Sequence, residues 1–352
     1  MELRAEDVDA LVLGAALLGS GGGGTTIEVG TLLRRKLGAG SVVLHSPSDL
    51  AGAFVVPVGV IGATTVLTEK LPNGQEFAAA VHALCQWADI EPEALMASEA
   101  GGVNGLTALV AALELQVPFI DADLMGRAFP RLDQLTWAVD SDHLFPIALA
   151  GTSGQIVIID RAPARTIEGL ARAALRELGG WAAAAFPPRP AADLASSAIL
   201  GSISRAIALG SALKELPEAA SPRAVESATG ARVLGAGRVF DVSRHRVADG
   251  TFGHGHISLR DRDADSIIRI ECQNEYLLAS VNGRLEAQAP DILCLLERRK
   301  LVPIEVDQVR AGDELIALHL SGPSWWWASP ARRKRVDPTA FGIPTLLSEE
   351  RE

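Results

Sequence analysis

The sequence predicts two domains of different class, an α/β domain followed by a β-rich domain. Over residues 1–165, short apolar runs alternate with segments of helical spacing, which is typical of a three-layer domain with a mostly parallel sheet. Beyond residue 231, short apolar runs follow one another closely, and Asn282-Gly283 is a strong hairpin signal, which indicates a barrel or sandwich. We therefore place the domains at residues 1–165 and 166–352, the second beginning with a helical connection.

The first domain begins with a helix and then alternates between strands and helices. Apolar residues at positions 8, 11, 12 and 15 predict a helix over residues 6–18. Apolar positions 77, 81, 84 and 85 predict a helix over residues 75–87, and a run of good helix formers predicts another over residues 105–115. The predicted strands are short apolar runs at residues 42–45, 54–61, 94–98, 117–120 and 156–159.

The second domain changes character after an alanine-rich stretch. Residues 165–216 are predicted to be helical, with helices over residues 165–178 and 196–216. Gly179-Gly180 ends the first of these, since glycine readily adopts the conformation that follows a helix. The predicted strands that follow are residues 232–234, 238–242, 256–259, 267–272, 276–281, 292–296 and 314–320.

The composition excludes several classes of protein. With 352 residues, 48% hydrophobic and 21% charged, the chain can bury a large core. A net charge of −11 argues against a general surface for nucleic acid or anionic membrane, and the short basic run at residues 332–335 is typical of a solvated loop. Since no long apolar stretch or signal peptide is present, we expect a cytoplasmic protein. The three cysteines form no paired motif and are typical of buried thiols.

A run of four glycines, Gly21, Gly22, Gly23 and Gly24, follows the first predicted helix. Glycine costs conformational entropy wherever it is ordered, so such a run favours a loop that brings backbone N–H groups close to a ligand. Thr25 or Thr26 would open the next helix, whose first N–H groups also favour anions. The alternative is a flexible turn between helices. The loop is neither a P-loop nor a dinucleotide fingerprint, because no Gly-Lys follows it and a helix precedes it.

Two further loops at predicted strand ends carry polar residues. The first contains Glu99 and Asn104 around paired glycines, and the second contains Asp121, Asp123 and Arg127. Asp121 and Asp123 fall on one side of an extended chain, and carboxylates held close together raise one pKa, as a general base or metal site requires. The guanidinium of Arg127 would neutralise them or hold a substrate carboxylate. The structural alternative is that the acids cap a helix and the arginine ties the loop together.

His254 and His256 are spaced so that both side chains of an extended segment point the same way, and two such histidines can bind one metal. A divalent metal such as zinc would need a third ligand, for which His245, Asp241 and the carboxylates of the first domain are candidates. The alternative is a pair of surface-turn histidines.

Several segments together resemble the S-methyl thiohydantoin desulfurase family. They are residues 18–24, 99–105, 121–130, 201–210, 273–275 and 289–292, and the resemblance spans nearly the whole chain. The resemblance implies an α/β N-terminal domain and a β-rich C-terminal domain. It also implies a hydantoin-like substrate ring whose C–S bond is cleaved by water, with release of a thiol.

We therefore expect a hydrolase acting on a small, five-membered cyclic amide or thioimidate. A non-catalytic binding or accessory partner of a hydantoinase-type enzyme is the alternative, and a homo-oligomer is expected in either case. The catalytic candidates, each a carboxylate able to activate water or bind a metal, are Asp121, Asp123 and Glu99. The substrate-binding candidates are Gly21, Gly22, Gly23, Gly24, Asn104, Arg127, Asn274 and Glu275, the last two within a polar segment between apolar strands of the second domain. Glu99 and Asn104 would bind ring amides, and the glycine N–H groups would hold developing negative charge.

Overall fold

A computed structural model of the chain describes residues 1–245 and 253–343. The chain divides into two compact units, Met1–Pro217 and Glu218–Glu352. Residues 166–217, which the sequence assigns to the second domain as a helical connection, belong to the first unit. Within the described residues, none of the helices is both long and apolar enough to span a bilayer.

The first unit is a layered α/β structure built on one mixed sheet. Its helices are α1 (Val8–Leu18), α2 (Thr26–Leu37), α3 (Thr64–Glu69), α4 (Gln75–Ala88), α5 (Asn104–Leu115), α6 (Thr136–Ser141), α7 (Ala164–Ala174), α8 (Leu194–Ser197) and α9 (Ser202–Lys214). Its strands are β1 (Glu2–Arg4), β2 (Ser41–His45), β3 (Phe54–Gly62), β4 (Ala94–Ala97), β5 (Phe119–Ile120), β6 (Ala122–Asp123), β7 (Ile147–Gly151), β8 (Ile156–Ile159), β9 (Trp181–Ala185), β10 (Arg189–Pro190) and β11 (Ile199–Leu200).

The main sheet runs in the order β1-β2-β5-β4-β3-β9-β7-β8. Neighbours β2, β5, β4 and β3 are parallel, as expected for strands joined by helices. Because β9 is antiparallel to β3 and β7 is antiparallel to β9, β7 runs in the same direction as these four strands. The predicted α/β class is confirmed, with a sheet in which most strands run one way.

Part of the alanine-rich stretch was wrongly predicted as helix. Trp181–Ala185 forms β9, a fully buried strand between β3 and β7. The alanines of the run Trp-Ala-Ala-Ala-Ala favour a helix locally. In the fold, however, the run lies inside the sheet, where small side chains are buried on both faces, and this tertiary packing determines that it is a strand. The helix predicted over residues 196–216 begins only at Ser202, because β11 precedes it. Strands β1 and β7 were not predicted.

Helices α1 and α9 pack so closely that their backbones touch. A Cβ placed on Gly14 would lie 1.7 Å from the carbonyl oxygen of Ala206, and one on Gly210 would lie 1.8 Å from that of Ala10. Only glycine fits at either position. Ala10 of α1 lies against Gly210 of α9, and Gly14, further along α1, lies against Ala206, which is earlier in α9. The two helices are therefore antiparallel, and the end of α1 lies beside the start of α9.

The second unit is an antiparallel sheet of seven strands that curls into a half-barrel, as the predicted β-rich class requires. Its strands are β12 (Arg232–Arg244), β13 (Gly255–Asp261), β14 (Ser266–Cys272), β15 (Tyr276–Val281), β16 (Arg284–Gln288), β17 (Ile292–Glu297) and β18 (Glu314–Leu320). Its helices are α10 (Pro222–Thr229), α11 (Ser324–Trp327) and α12 (Pro330–Lys334). The two strands predicted at residues 232–242 are one strand, β12, and β16 was not predicted. Buried side chains including Ile257, Ile268 and Tyr276 form its core.

Candidate functional site

Three polar loops of the first unit are held together by backbone contacts. Strands β4 and β5 are parallel neighbours, so the loops that follow them leave the same edge of the sheet. The glycine-rich loop joins them because the N–H of Val103 donates to the carbonyl of Gly23 at 2.9 Å. The N–H of Ala128 donates to the carbonyl of Leu18 at 3.0 Å. The sequence-predicted loops at residues 18–24, 98–105 and 121–130 therefore form one cluster.

Two glycine segments meet without room for side chains. A Cβ on Gly102 would lie 2.3 Å from the carbonyl oxygen of Gly23, and the backbone of Gly102 has a φ of +65° that favours glycine. Within the described part of the chain, no backbone carbonyl accepts a hydrogen bond from the N–H groups of Gly21, Gly23 or Gly24. These N–H groups lie next to the start of α2, where further helix N–H groups lack intrahelical acceptors. The loop therefore has the chemistry of an anion-binding backbone segment.

Asp123 is completely buried at the end of β6. Its Oδ2 accepts three backbone N–H groups, from Ala100 at 2.8 Å, Met125 at 3.1 Å and Gly126 at 2.7 Å. Its Oδ1 has no hydrogen-bond partner among the residues that the structure describes. Burial raises the pKa of Asp123 from 3.8 to about 6, although the three N–H groups act in the opposite direction. The group can therefore change protonation state close to neutral pH.

The Asp121 carboxylate binds the start of a helix, which is the structural alternative to a catalytic acid. It accepts the N–H of Ile203 at 2.8 Å and the N–H and hydroxyl of Ser204, so it caps the start of α9. The raised pKa of Asp123 has burial as its largest cause, not repulsion from this neighbouring acid. The expectation that two adjacent carboxylates raise one pKa is therefore corrected in its cause: the two side chains bind separate backbone segments.

Glu99, Asn104 and Arg127 are engaged with the protein around the same loops. Oδ1 of Asn104 accepts the N–H of Val60 at 2.6 Å, and its Nδ2 lies 3.5 Å from Oε1 of Glu99. Oε2 of Glu99 accepts the N–H of Phe129 at 3.4 Å. Arg127 is fully buried, with its Nε donating to the neighbouring carbonyl and its guanidinium 5.0 Å from the Phe129 ring centre. The binding of a substrate carboxylate by Arg127 stays a prediction.

Further polar groups at this cluster were not predicted. Ser202 opens α9 and is buried, and within the described residues its Oγ has no hydrogen-bond partner. The Ser202 side chain is nevertheless close enough to Asp123 to lower the pKa of that carboxyl. Arg205, one turn along α9, lies within electrostatic reach of Asp123. Ser20 is also buried in the glycine-rich loop, with a φ of +50° that is uncommon for a residue with a side chain.

The predicted histidine pair of the second unit does not gather a metal-ligand set. Nε2 of His256 lies 2.7 Å from Oδ2 of Asp241, while Nδ1 of His254 lies 3.4 Å from Nε2 of Gln273. Nε2 of His245 is 3.0 Å from the Ser243 hydroxyl. Among residues 1–245 and 253–343, no group of three or more His, Cys, Asp or Glu side chains is arranged to hold a metal ion. The zinc-site hypothesis for His254 and His256 thus lacks its third ligand there.

Asn274 and Glu275 lie in the turn between β14 and β15, the hairpin alternative to a binding segment. The N–H of Gln273 donates to the carbonyl of Glu275 at 3.0 Å. Asn274 is exposed and Glu275 is buried. Their contribution to substrate binding stays a prediction.

Comparison with protein-family models identifies the chain. The model described as "S-Me-THD-like, N-terminal domain" matches residues 6–161, and the model described as "S-Me-THD-like, C-terminal domain" matches residues 162–348. The chain belongs to the S-Me-THD-like family. The resemblance drawn from the sequence segments is thereby confirmed. The C-terminal model of this family begins before β9, whereas the compact units divide after Pro217.

Other comparisons bear on the fold of this S-Me-THD-like chain. It is similar to the crystal structure of a protein from Chromobacterium violaceum, with 21% sequence identity and a TM-score of 0.79 over 99% of this chain and 98% of that chain. This likeness shows a shared fold. No curated protein matches the chain.

The residues missed by sequence reasoning had a detectable signal. The segment Gly201-Ser202-Ile203-Ser204-Arg205 precedes an apolar helical pattern, and serine is a preferred residue at helix starts. It was included in the resemblance to the S-Me-THD-like family, but no role was assigned to it. Its position beside Asp123 depends on the antiparallel pairing of β11 with β6, which places Ile199 opposite Asp123. Pairing between such two-residue strands has no sequence signature.

Proposed function

We propose that this protein hydrolyses the C–S bond of an S-methyl thiohydantoin or a closely related five-membered ring. The observation that carries the proposal is the state of Asp123. One of its oxygens is held by three backbone N–H groups, and the other has no protein partner among the described residues. A fixed carboxylate with one free oxygen and a pKa of about 6 has the properties of a general base at neutral pH. Membership of the S-Me-THD-like family supports the substrate class.

The proposed reaction is attack of water on C2 of the ring, the carbon that carries the methylthio group. One water proton passes to Oδ1 of Asp123, and the C=N electron pair moves onto the ring nitrogen. When the tetrahedral carbon collapses, the hydroxyl oxygen becomes the C2 carbonyl and its proton passes to the ring nitrogen. The methylthio group leaves with the C–S electron pair and takes the proton from Asp123. The S-methyl thiohydantoin and water thus give hydantoin and methanethiol, and the carboxylate is regenerated.

The remaining parts of the cluster support this chemistry electrostatically. Negative charge develops on the ring nitrogen during attack, and N–H groups aimed at such charge stabilise the transition state. The N–H groups of Gly21, Gly23 and Gly24 are available for this role because no backbone carbonyl among the described residues accepts from them. The Glu99 carboxylate and the Asn104 amide lie next to one another and would accept from and donate to the ring amide.

The test is an assay of methanethiol release from an S-methyl thiohydantoin, with plain hydantoins tested in parallel and with each reaction run with and without added Zn²⁺. We expect thiol release by the wild type and a loss of at least about 100-fold in kcat for Asp123→Asn, as for removal of a general base. The matched control is Asp261→Asn, because Asp261 is also buried and accepts backbone N–H groups from Ala236, Asp263 and Ala264. This control should keep its kcat.

The dependence of kcat/KM on pH is a second test of Asp123 as the base. Since Asp123 must be ionised to accept a proton, kcat/KM should rise with pH and level off above about 6. Absence of turnover with every ring, with or without metal, would overturn the proposal. Binding of the thiohydantoin without thiol release would favour the non-catalytic ligand-binding alternative.

A further inference from the structure

Two buried oxygen atoms on adjoining segments, the end of β6 and the start of α9, have no hydrogen-bond partner in the described part of the chain. They are Oδ1 of Asp123 and Oγ of Ser202. Both side chains are almost inaccessible to solvent, Asp123 completely and Ser202 with 3% exposed. Buried polar atoms in native proteins are nearly always hydrogen-bonded, to protein or to ordered water. Two such atoms on adjoining segments therefore point to a small polar molecule that bonds both.

The fold fixes these two groups relative to each other. Strand β11 pairs with β6 and ends two residues before Ser202, so α9 starts beside Asp123. The Asp121 carboxylate then holds the first N–H groups of α9. The Ser204 hydroxyl is already bonded to Asp121, whereas the Ser202 hydroxyl remains available. The helix start is thus tied down on one side and presents one hydroxyl toward the candidate base.

We propose that Ser202 is a positioning residue for the water molecule that Asp123 deprotonates. The Ser202 hydroxyl donates to the water oxygen, and the water donates to Oδ1 of Asp123. A water site needs at least two polar partners, and this pair supplies a donor and an acceptor. With one proton directed at the carboxylate and one lone pair held by the serine, the second lone pair is oriented for attack on the substrate. The inference rests on the proposed hydrolysis.

The experiment compares Ser202→Ala with the wild type and with Ser211→Ala. Ser211 is a serine on the same helix, nine residues or about 14 Å further along. We expect Ser202→Ala to lower kcat about 10- to 100-fold with KM unchanged, because the water loses its orientation while substrate contacts remain. The control should retain the wild-type kcat. Ser202→Cys, which keeps the shape approximately but is a poor hydrogen-bond donor, should have a kcat between those of Ser202→Ala and the wild type, and it provides a second variant if the alanine protein does not fold.

A second readout does not depend on turnover. The water held by Ser202 donates to Oδ1 and so favours the ionised form of Asp123, and titration of the ¹³C-labelled carboxyl by NMR should therefore give a higher pKa in Ser202→Ala and an unchanged pKa in Ser211→Ala. The acid limb of the kcat/KM profile should move upward with it. An active wild type whose Ser202→Ala and Ser202→Cys variants keep full kcat and the same profile would overturn this inference alone. A wild type that releases no thiol would overturn the proposed function and this inference together.

Discussion

Replacing Asp123 by asparagine should make folding stability less sensitive to pH. Asparagine has the same shape, so its carbonyl oxygen can accept the N–H groups of Ala100, Met125 and Gly126, while the amide takes the place of Oδ1. The variant removes the titrating group and leaves the loop contacts in place. The change therefore isolates the free energy of holding a charge at this buried position.

The magnitude follows from the raised pKa. In the folded protein the pKa of Asp123 is about 6, against 3.8 for the unperturbed group, a difference of about 2. At 1.36 kcal/mol per unit, this amounts to about 3 kcal/mol. Between these values the folded state holds more protons than the unfolded state, so wild-type stability falls as pH rises from about 4 to about 6. Above that window the wild type carries the whole cost of the buried charge.

The assay is urea unfolding of the wild type and Asp123→Asn at pH 4 and at pH 7. The variant's stability relative to the wild type should increase by about 2–3 kcal/mol between the two pH values. Titrations shared by both proteins cancel in this comparison. A relative stability that stays constant, or that moves in favour of the wild type as pH rises, would refute the reasoning that burial dominates the electrostatics of Asp123.

Two further predictions concern the helices around the site. Gly14→Ala should destabilise the protein by more than the ~1–3 kcal/mol typical of overpacking, because its Cβ would meet the backbone of Ala206 at 1.7 Å. Gly169→Ala, an exposed position within α7 with open space around it, should instead stabilise by about 0.5–1 kcal/mol, and thermal unfolding of both variants checks the pair. Arg205→Met should raise the pKa of Asp123 and shift the acid limb of kcat/KM upward, since a positive charge nearby is lost. Arg205→Lys should retain the wild-type profile, and an unshifted limb in the methionine variant would exclude Arg205 as an influence on Asp123.

Strands and helices were predicted correctly where the local pattern of apolar residues agrees with the environment that the fold gives them. The strands at Tyr276–Val281 and Glu314–Leu320 have the predicted bounds, because each is a compact apolar run between turn signals. Trp181–Ala185 failed for the opposite reason, since its alanines favour helix locally and only the neighbouring strands β3 and β7 make it a strand. Short strands such as β6 and β11 depend on pairing between distant segments, which no local pattern encodes.

The sequence predicted which loops form the candidate site but not which groups bind one another within it. The polar residues after two strands and the glycine run indicated Glu99, Asn104 and Asp123 correctly as neighbours of one cluster. Sequence spacing suggested that Asp121 and Asp123 act as a pair, but side chains two residues apart bind different partners here. Which oxygen of a carboxylate is held by backbone N–H groups, and how far burial raises its pKa, depend on tertiary packing.

The most direct test of Asp123 as the base that activates water is turnover of an S-methyl thiohydantoin in water enriched in oxygen-18. Attack of water on C2 should release methanethiol together with a hydantoin that carries one labelled oxygen at C2, because the oxygen of the attacking water becomes that carbonyl. The label should appear with the wild type in a single turnover and at a rate at least about 100-fold lower with Asp123→Asn, as expected for loss of the general base. Thiol release without label at C2, or equal labelling rates in the two proteins, would contradict the claim that Asp123 activates water for attack on the ring.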